Sequence, residues 1–130
     1  MGSNSLAIVS GESFELGRRT RNLPAPPPIV WDSLADPHRP GTRPWLTLRS
    51  DEVEPSVLDS RKPVLVVWSS IWPQTPDQEI RFELASDGAS GTDLTWILTS
   101  PVEMDGAAVG HRRFRLNHLL WAELRYSYGQ

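Results

Sequence analysis

The feature that most constrains this chain is its last quarter. From Asp105 to Arg125 no proline interrupts the sequence, although the chain holds 12 of them, and this stretch follows a series of short strand-like runs. One long helix therefore closes an otherwise β-rich chain, with expected limits near Met104 and Tyr126. At ~100° per residue, Val109, Leu116, Leu120 and Leu124 fall in one stripe, and His111, Arg115, His118 and Arg125 gather on the opposite side. Arg113 and Asn117 interrupt the apolar stripe. A helix that lines a ligand cavity needs such an interruption, because a purely apolar slot does not orient what it holds.

Upstream, Glu12 to Arg21 alternates Phe14, Leu16 and Arg18 against Glu15, Gly17 and Arg19, the period of a half-buried first strand. Leu23 to Pro28 is rich in proline. Proline at the first helical position is preorganised for helix entry, so Pro27 or Pro28 opens a short helix through Ile29, Val30, Trp31 and Leu34, and Pro37 stops it. His38 to Pro44 reads as loop. Trp45–Arg49, Glu52–Asp59 and Val64–Ser70 read as consecutive antiparallel strands, and Ile71 to Asp77, with Pro73 and Pro76, as a connection. Ile80, Phe82 and Leu84 alternate with Arg81 and Glu83 in the clearest strand of the chain. Ser86 to Gly91 supplies a hairpin turn, and Thr92 to Ser100 places Leu94, Trp96 and Leu98 on one face before Pro101.

A sheet of this kind must bury one face, and the terminal helix is the only element long enough to cover it. The expected fold class is α+β: a curved antiparallel β-sheet wrapped around a long C-terminal α-helix, with a short helix after the first strand. At 130 residues the chain suits one domain, since single cores split only at roughly 250 to 300 residues. Residues 12–130 form the expected domain, and residues 1–11 read as a flexible N-terminus or an engineered remnant. The net charge of -3, from 13 basic and 16 acidic residues, gives no field to steer nucleic acid or an anionic membrane. The absence of cysteine excludes disulfides, thiolate metal sites and cysteine nucleophiles, and leaves the redox compartment open. A cytoplasmic location is the default expectation: Leu6 to Val9 falls short of the ~7 to 15 apolar residues of a signal-peptide core. Nothing approaches the ~18 apolar residues of a membrane span.

Three segments resemble the START-like, or SRPBCC, superfamily, which includes the birch-pollen-allergen type, the polyketide cyclases and the chaperone-ATPase activator homologues. Phe14 to Trp31 resembles its opening strand and proline-marked turn, leading into the helix entry Pro-Pro-Ile-Val-Trp-Asp-Ser-Leu-Ala-Asp-Pro at Pro27 to Pro37. Gly91-Thr92 followed by Leu94-Thr95-Trp96 is similar to its last hairpin, and Gly110 to Arg125 to its closing helix. The resemblance spans nearly the whole chain and implies a helix-grip fold. The chain departs from the group in being short, and the second short helix usually found before the second strand has almost no room between Asp36 and Trp45. The resemblance implies a binding protein for an apolar or aromatic metabolite held in a cavity between sheet and terminal helix. It also allows a polyketide cyclase or dehydratase type of enzyme, in which one acid or base promotes aldol closure, or a protein-interaction module like the chaperone-ATPase activators.

Six tryptophans serve a chain of 130 residues. Trp68, Phe82 and Trp96 fall on the inward faces of three strands, where they either stack on a flat ligand or fill the core. Trp72, beside Pro73, is placed to cap a cavity mouth or to form a partner patch. Arg113 and Asn117 lie about one helical turn apart and are able to grip one polar group, a bidentate guanidinium being suited to carboxylate or phenolate. The alternative is that Arg113 snorkels, or pairs with Glu103 or Glu123. The expected ligand site is thus Trp68, Phe82, Trp96, Arg113, Leu116, Asn117 and Leu120, with no cofactor, no metal and no evident catalytic pair. His111 and His118 lie too far apart to share an ion, at about 10 Å given ~1.5 Å per residue. His38 remains as an acid or base candidate, and Asp77 and Glu79 read as a solvated turn. Serine elbows, phosphate-binding glycine loops and zinc spacings are absent. The expected partner is a hydrophobic or aromatic small molecule, with no nucleic acid and no membrane span; a homodimer is compatible with the sequence.

Overall fold

The computed structural model describes residues 13–129, so the expected N-terminal remnant lies outside the described residues. The chain runs β1 (Phe14–Leu23), α1 (Pro27–Ala35), β2 (Val57–Arg61), β3 (Leu65–Ser69), β4 (Glu79–Ser86) and β5 (Thr92–Ser100) into the terminal helix. That helix is 22 residues long. It is α-helical over Gly106–His118 (α2), opens into a π-helical segment over Leu119–Leu124, and returns to α over Arg125–Ser127 (α3). The sheet order is β1-β5-β4-β3-β2, with every neighbouring pair antiparallel. This is the α+β helix-grip architecture expected from the sequence.

The central strands form because their alternation matches the pleat. Ile80, Phe82 and Leu84 face inward and stand opposite Leu98, Trp96 and Leu94 of β5, while Val66 and Trp68 of β3 stand opposite Phe82 and Ile80. The β4–β5 turn is closed by Asp87, whose Oδ1 accepts from the backbone of Ala89 and Gly91 at 2.8 and 3.1 Å. Gly88 adopts φ +85°, where a side chain is strained, and a Cβ on Gly91 would fall 2.7 Å from the Leu23 carbonyl oxygen. α1 opens at Pro27 as its φ preference dictates. α2 opens at Asp105, whose side chain accepts from Ala108 N at 3.0 Å and satisfies one of the free N-terminal donors.

Three expectations require correction. Trp45–Arg49 is not a strand, and of Glu52–Asp59 only the part from Val57 joins the sheet. The connector instead runs along the flank of the terminal helix: Arg43 donates to the Tyr126 carbonyl, and Arg115 to the Thr47 carbonyl. The helix's buried surface is also displaced from the predicted stripe. It comprises Arg115, Leu116, Leu119, Leu120, Trp121 and Leu124, while Arg113 is exposed and Val109 only half-buried. Arg115, placed on the polar side by the helical wheel, is buried because the connector, not water, lies opposite it. Finally, β1 begins at Phe14 and continues to Leu23, and an irregularity between Glu15 and Gly17 disrupts the alternation expected there.

Candidate functional site

Five of the seven expected site residues meet between sheet and helix. Trp68 and Leu120 are 1% exposed, and Phe82, Trp96 and Leu116 are 0% exposed. A side chain lining an open cavity keeps surface that a water-sized sphere can touch, so these five pack against neighbours without a void between them. Trp68 and Phe82 meet edge to face, with centroids 4.8 Å apart and planes at 77°, a geometry the ring quadrupoles favour. The Trp68 indole is fixed by a 2.8 Å bond from Nε1 to the Leu34 carbonyl of α1.

Asn117 and Arg113 do not converge. The Asn117 Oδ1 accepts from Trp96 Nε1 at 2.9 Å and from Trp121 Nε1 at 3.1 Å, so its acceptor is committed to positioning two indoles. Arg113 lies exposed over the edge of the sheet, where a Cβ on Gly17 would fall 2.9 Å from its Cδ. Gly17 thus leaves room for the aliphatic stem while the guanidinium reaches water.

The buried arginine is Arg115, which sequence reasoning missed. Its Nε and Nη2 donate to the two Glu52 oxygens at 2.6 and 2.8 Å, with side-chain exposures of 3% and 1%. Burial pushes the Glu52 carboxyl up, but the Arg115 guanidinium, the Arg49 backbone bond and the nearby charges outweigh it, and its pKa ends below the ordinary glutamate value. The partners are 63 residues apart in sequence, so no local spacing announces them.

Trp72 is likewise not an exposed patch. It is 3% exposed and lies beneath the Arg112 guanidinium, whose centre stands 4.5 Å from the ring centroid. Desolvation lowers the Arg112 pKa, opposed by the charge of Asp51.

Open space lies elsewhere. A concavity of about 270 Å³ sits between α1, the connector and the end of the terminal helix, with Ile29, Ser33, Arg39, Arg43, Trp45 and Tyr128 among its walls. Tyr128 donates to Ser33 Oγ at 2.8 Å, and burial pushes its phenol up to about 12 against the opposing effect of that bond. Arg43 covers the Tyr126 ring at 4.9 Å, and Arg39 pairs with Asp32 at 3.2 Å. The inner wall is Trp45, which stacks on Trp68 at 6.0 Å with planes 22° apart. A second hollow of about 180 Å³ lies by Gln74–Gln78 and Ser100–Val102.

Among the described residues no group of three or more His, Cys, Asp or Glu side chains is placed to hold a metal, and no helix is long and apolar enough to cross a membrane. His38 pairs with Glu54 at 2.9 Å on the surface, outside the concavity.

No family model matches the chain, and no curated protein matches it. Solved structures do. The chain is similar to CalU16 from Micromonospora echinospora, at 20% identity over 84% of this chain and 83% of that one, with a TM-score of 0.56. It is similar to an HSP90 activator from Plasmodium falciparum, at 15% identity over 88% and 91% of the two chains, TM-score 0.54. An AHSA1-like protein from Rhizobium etli shares 20% identity over 83% and 78%, TM-score 0.53. The protein therefore shares the helix-grip fold of these structures. Identities this low carry the fold and not an activity.

Proposed function

We propose that this protein is a cytoplasmic small-molecule binding protein, taking a flat apolar or aromatic metabolite at the concavity between α1, the connector and the end of the terminal helix. The observation that carries this reading is the concavity of about 270 Å³ whose inner wall is Trp45, close to the lower end of the ~300 to 1,000 Å³ of small-molecule pockets. The side chain of Ile29 and the half-buried Tyr128 offer apolar area, the buried Trp45 contributes at the back, and Ser33, Thr42, Arg39 and Arg43 offer the few polar groups that orient a ligand. Of the residues expected from sequence, Trp68 supports Trp45 from within, and Phe82, Trp96, Leu116 and Leu120 form the packed floor behind it. Asn117 acts on that floor through Trp96 and Trp121, and Arg113 keeps its charge in solvent.

The test is a two-dimensional NMR titration of the parent and of Ile29→Arg with naphthalene and indole. Ile29 is 43% exposed on α1, so the arginine fills the mouth without entering the core. Saturable shifts at Trp45 and Tyr128 in the parent, lost in a folded Ile29→Arg, are expected. The absence of saturation by either probe, or binding unchanged in the variant, overturns the site.

A further inference from the structure

Four of the six tryptophans are anchored through the indole nitrogen: Trp31 to the Leu65 carbonyl, Trp68 to the Leu34 carbonyl, and Trp96 and Trp121 to Asn117. Trp45 and Trp72 are not; both are 3% exposed, and neither Nε1 has a partner among the described residues. Trp72 is held by the guanidinium above it. Trp45 has no such clamp. A buried donor without an acceptor has lost its water and gained nothing in exchange, so the indole of Trp45 gives up no hydrogen bond when it leaves.

The segment that carries it is equally free of the backbone ladder. Beyond the turn at Pro40 and Gly41, residues 40–48 make no backbone–backbone hydrogen bond with the described residues. Side-chain bonds hold the segment instead, from Arg43 to Tyr126 and from Arg115 to Thr47. Trp45 lies against Trp68, whose own indole is fixed, and although only 3% exposed it is among the residues that line the concavity. Trp45 is thus a flat bicyclic ring, stacked on an anchored aromatic, borne on a segment held by side-chain bonds, and bordering the concavity.

We infer that Trp45 is the chain's own occupant of a binding site for a bicyclic aromatic, and that such a ligand displaces it and stacks on Trp68, with the edge of Phe82 beyond. The inference rests on the proposed small-molecule function and deepens it by naming the ligand class. Close packing requires a ligand of indole size, because the vacated space has that shape. The missing acceptor at the Trp45 nitrogen further selects against a ligand that places a donor there. Naphthalene therefore fits better than indole. Because the site is self-occupied, the parent binds with an affinity reduced by the fraction of molecules in which Trp45 is out.

The sign of one substitution separates the two roles Trp45 is able to play. Naphthalene and indole are titrated into the parent and into Trp45→Ala, with Trp45→Val as a second variant that retains more of the packing. If Trp45 is an occupant, both variants bind naphthalene at least tenfold more tightly than the parent, and prefer it to indole. In parent protein labelled with 5-fluorotryptophan, the Trp45 fluorine signal, assigned by its loss in Trp45→Phe, moves on saturation with naphthalene to a position that responds to exchange of H2O for D2O. Weaker binding by the variants makes Trp45 a wall: the proposed function stands and the displacement falls. Saturation of the parent with an unmoved, solvent-insensitive Trp45 signal has the same meaning, and decides the question even if both variants are unfolded. No binding by the parent or either folded variant overturns both readings together.

Discussion

The β4–β5 hairpin and the connector from Asp36 to Ser56 each bring a large aromatic into the core, and they hold it by different means. In the hairpin, pairing fixes every inward side chain: Phe82 stands opposite Trp96, Ile80 opposite Leu98, Leu84 opposite Leu94, and the Trp96 nitrogen is bonded to Asn117. In the connector, Trp45 arrives on a stretch that joins no strand ladder, and the fastening is done by side chains: Arg43 on the Tyr126 carbonyl, and Arg115 on the Thr47 carbonyl and Glu52. Equal burial therefore does not mean equal constraint. A residue held by a ladder must break several bonds to move, whereas one held by a few side chains moves when those are released.

The largest expected effect strikes the connector's fastening. Glu52→Ala leaves the Arg115 guanidinium buried without its carboxylate, a loss of about 3 to 5 kcal/mol, read by denaturant unfolding. Exchange of amide hydrogens should rise first around Trp45 to Glu52 and last in β4 and β5. Arg115→Met combined with Glu52→Leu should recover most of the loss, since a matched apolar pair leaves no stranded charge. Acid tests the same bond. The Glu52 pKa is lowered from its ordinary 4.5, so its contribution is complete above that value and disappears as pH falls through the depressed native one. Hairpin and connector losing protection together in acid would abolish the distinction drawn here.

A smaller effect strikes the other region. Asn117→Leu strands the indole donors of Trp96 and Trp121 at a cost of about 2 to 4 kcal/mol, taking ~1 to 3 for each buried unpaired group and allowing that Trp121 reaches some water. Near-ultraviolet circular dichroism should change with it while the connector keeps its protection pattern. The smallest effect belongs to Arg113→Met. With its charge in solvent and no ion pair to a described residue, it should change stability by no more than ~0.5 kcal/mol. A larger change in thermal unfolding would place Arg113 in a contact the geometry does not contain.

What the sequence makes readable follows the same division. The alternation of Ile80, Phe82 and Leu84 and the turn at Gly88 act over a few residues, so pattern alone locates β4 and β5. Pro27 opens α1 for an equally local reason. Trp45 to Arg49 alternates as a strand does, yet it pairs with neither edge strand of the sheet, and a run of residues cannot report whether a partner exists. Arg115 shows the same limit on a helix. The wheel gives its angle correctly, but whether water or Glu52 stands at that angle is decided 63 residues away. Trp68, Phe82 and Trp96 are assigned to the inner face by their period. That they pack without a void depends on Leu116, Leu120 and the connector together, which no period records.

The π-helical segment at Leu119–Leu124 has a consequence for how this chain tolerates insertion and deletion. Each residue removed from a regular helix turns everything beyond it by ~100°, and the wider π turn accommodates one residue more than an α turn would. The tail beyond it carries Tyr126, whose carbonyl receives Arg43, and Tyr128, which reaches Ser33 of α1 across 95 residues of sequence. Loss of a residue within the regular α2 would therefore rotate the tail away from both partners, whereas loss of the exposed Ala122 would let the π segment relax to α geometry and leave Leu116 and the tail in phase. The wall of the concavity is in that sense a matter of phase: it is set by a counting irregularity inside the helix, upstream of the residues that form it.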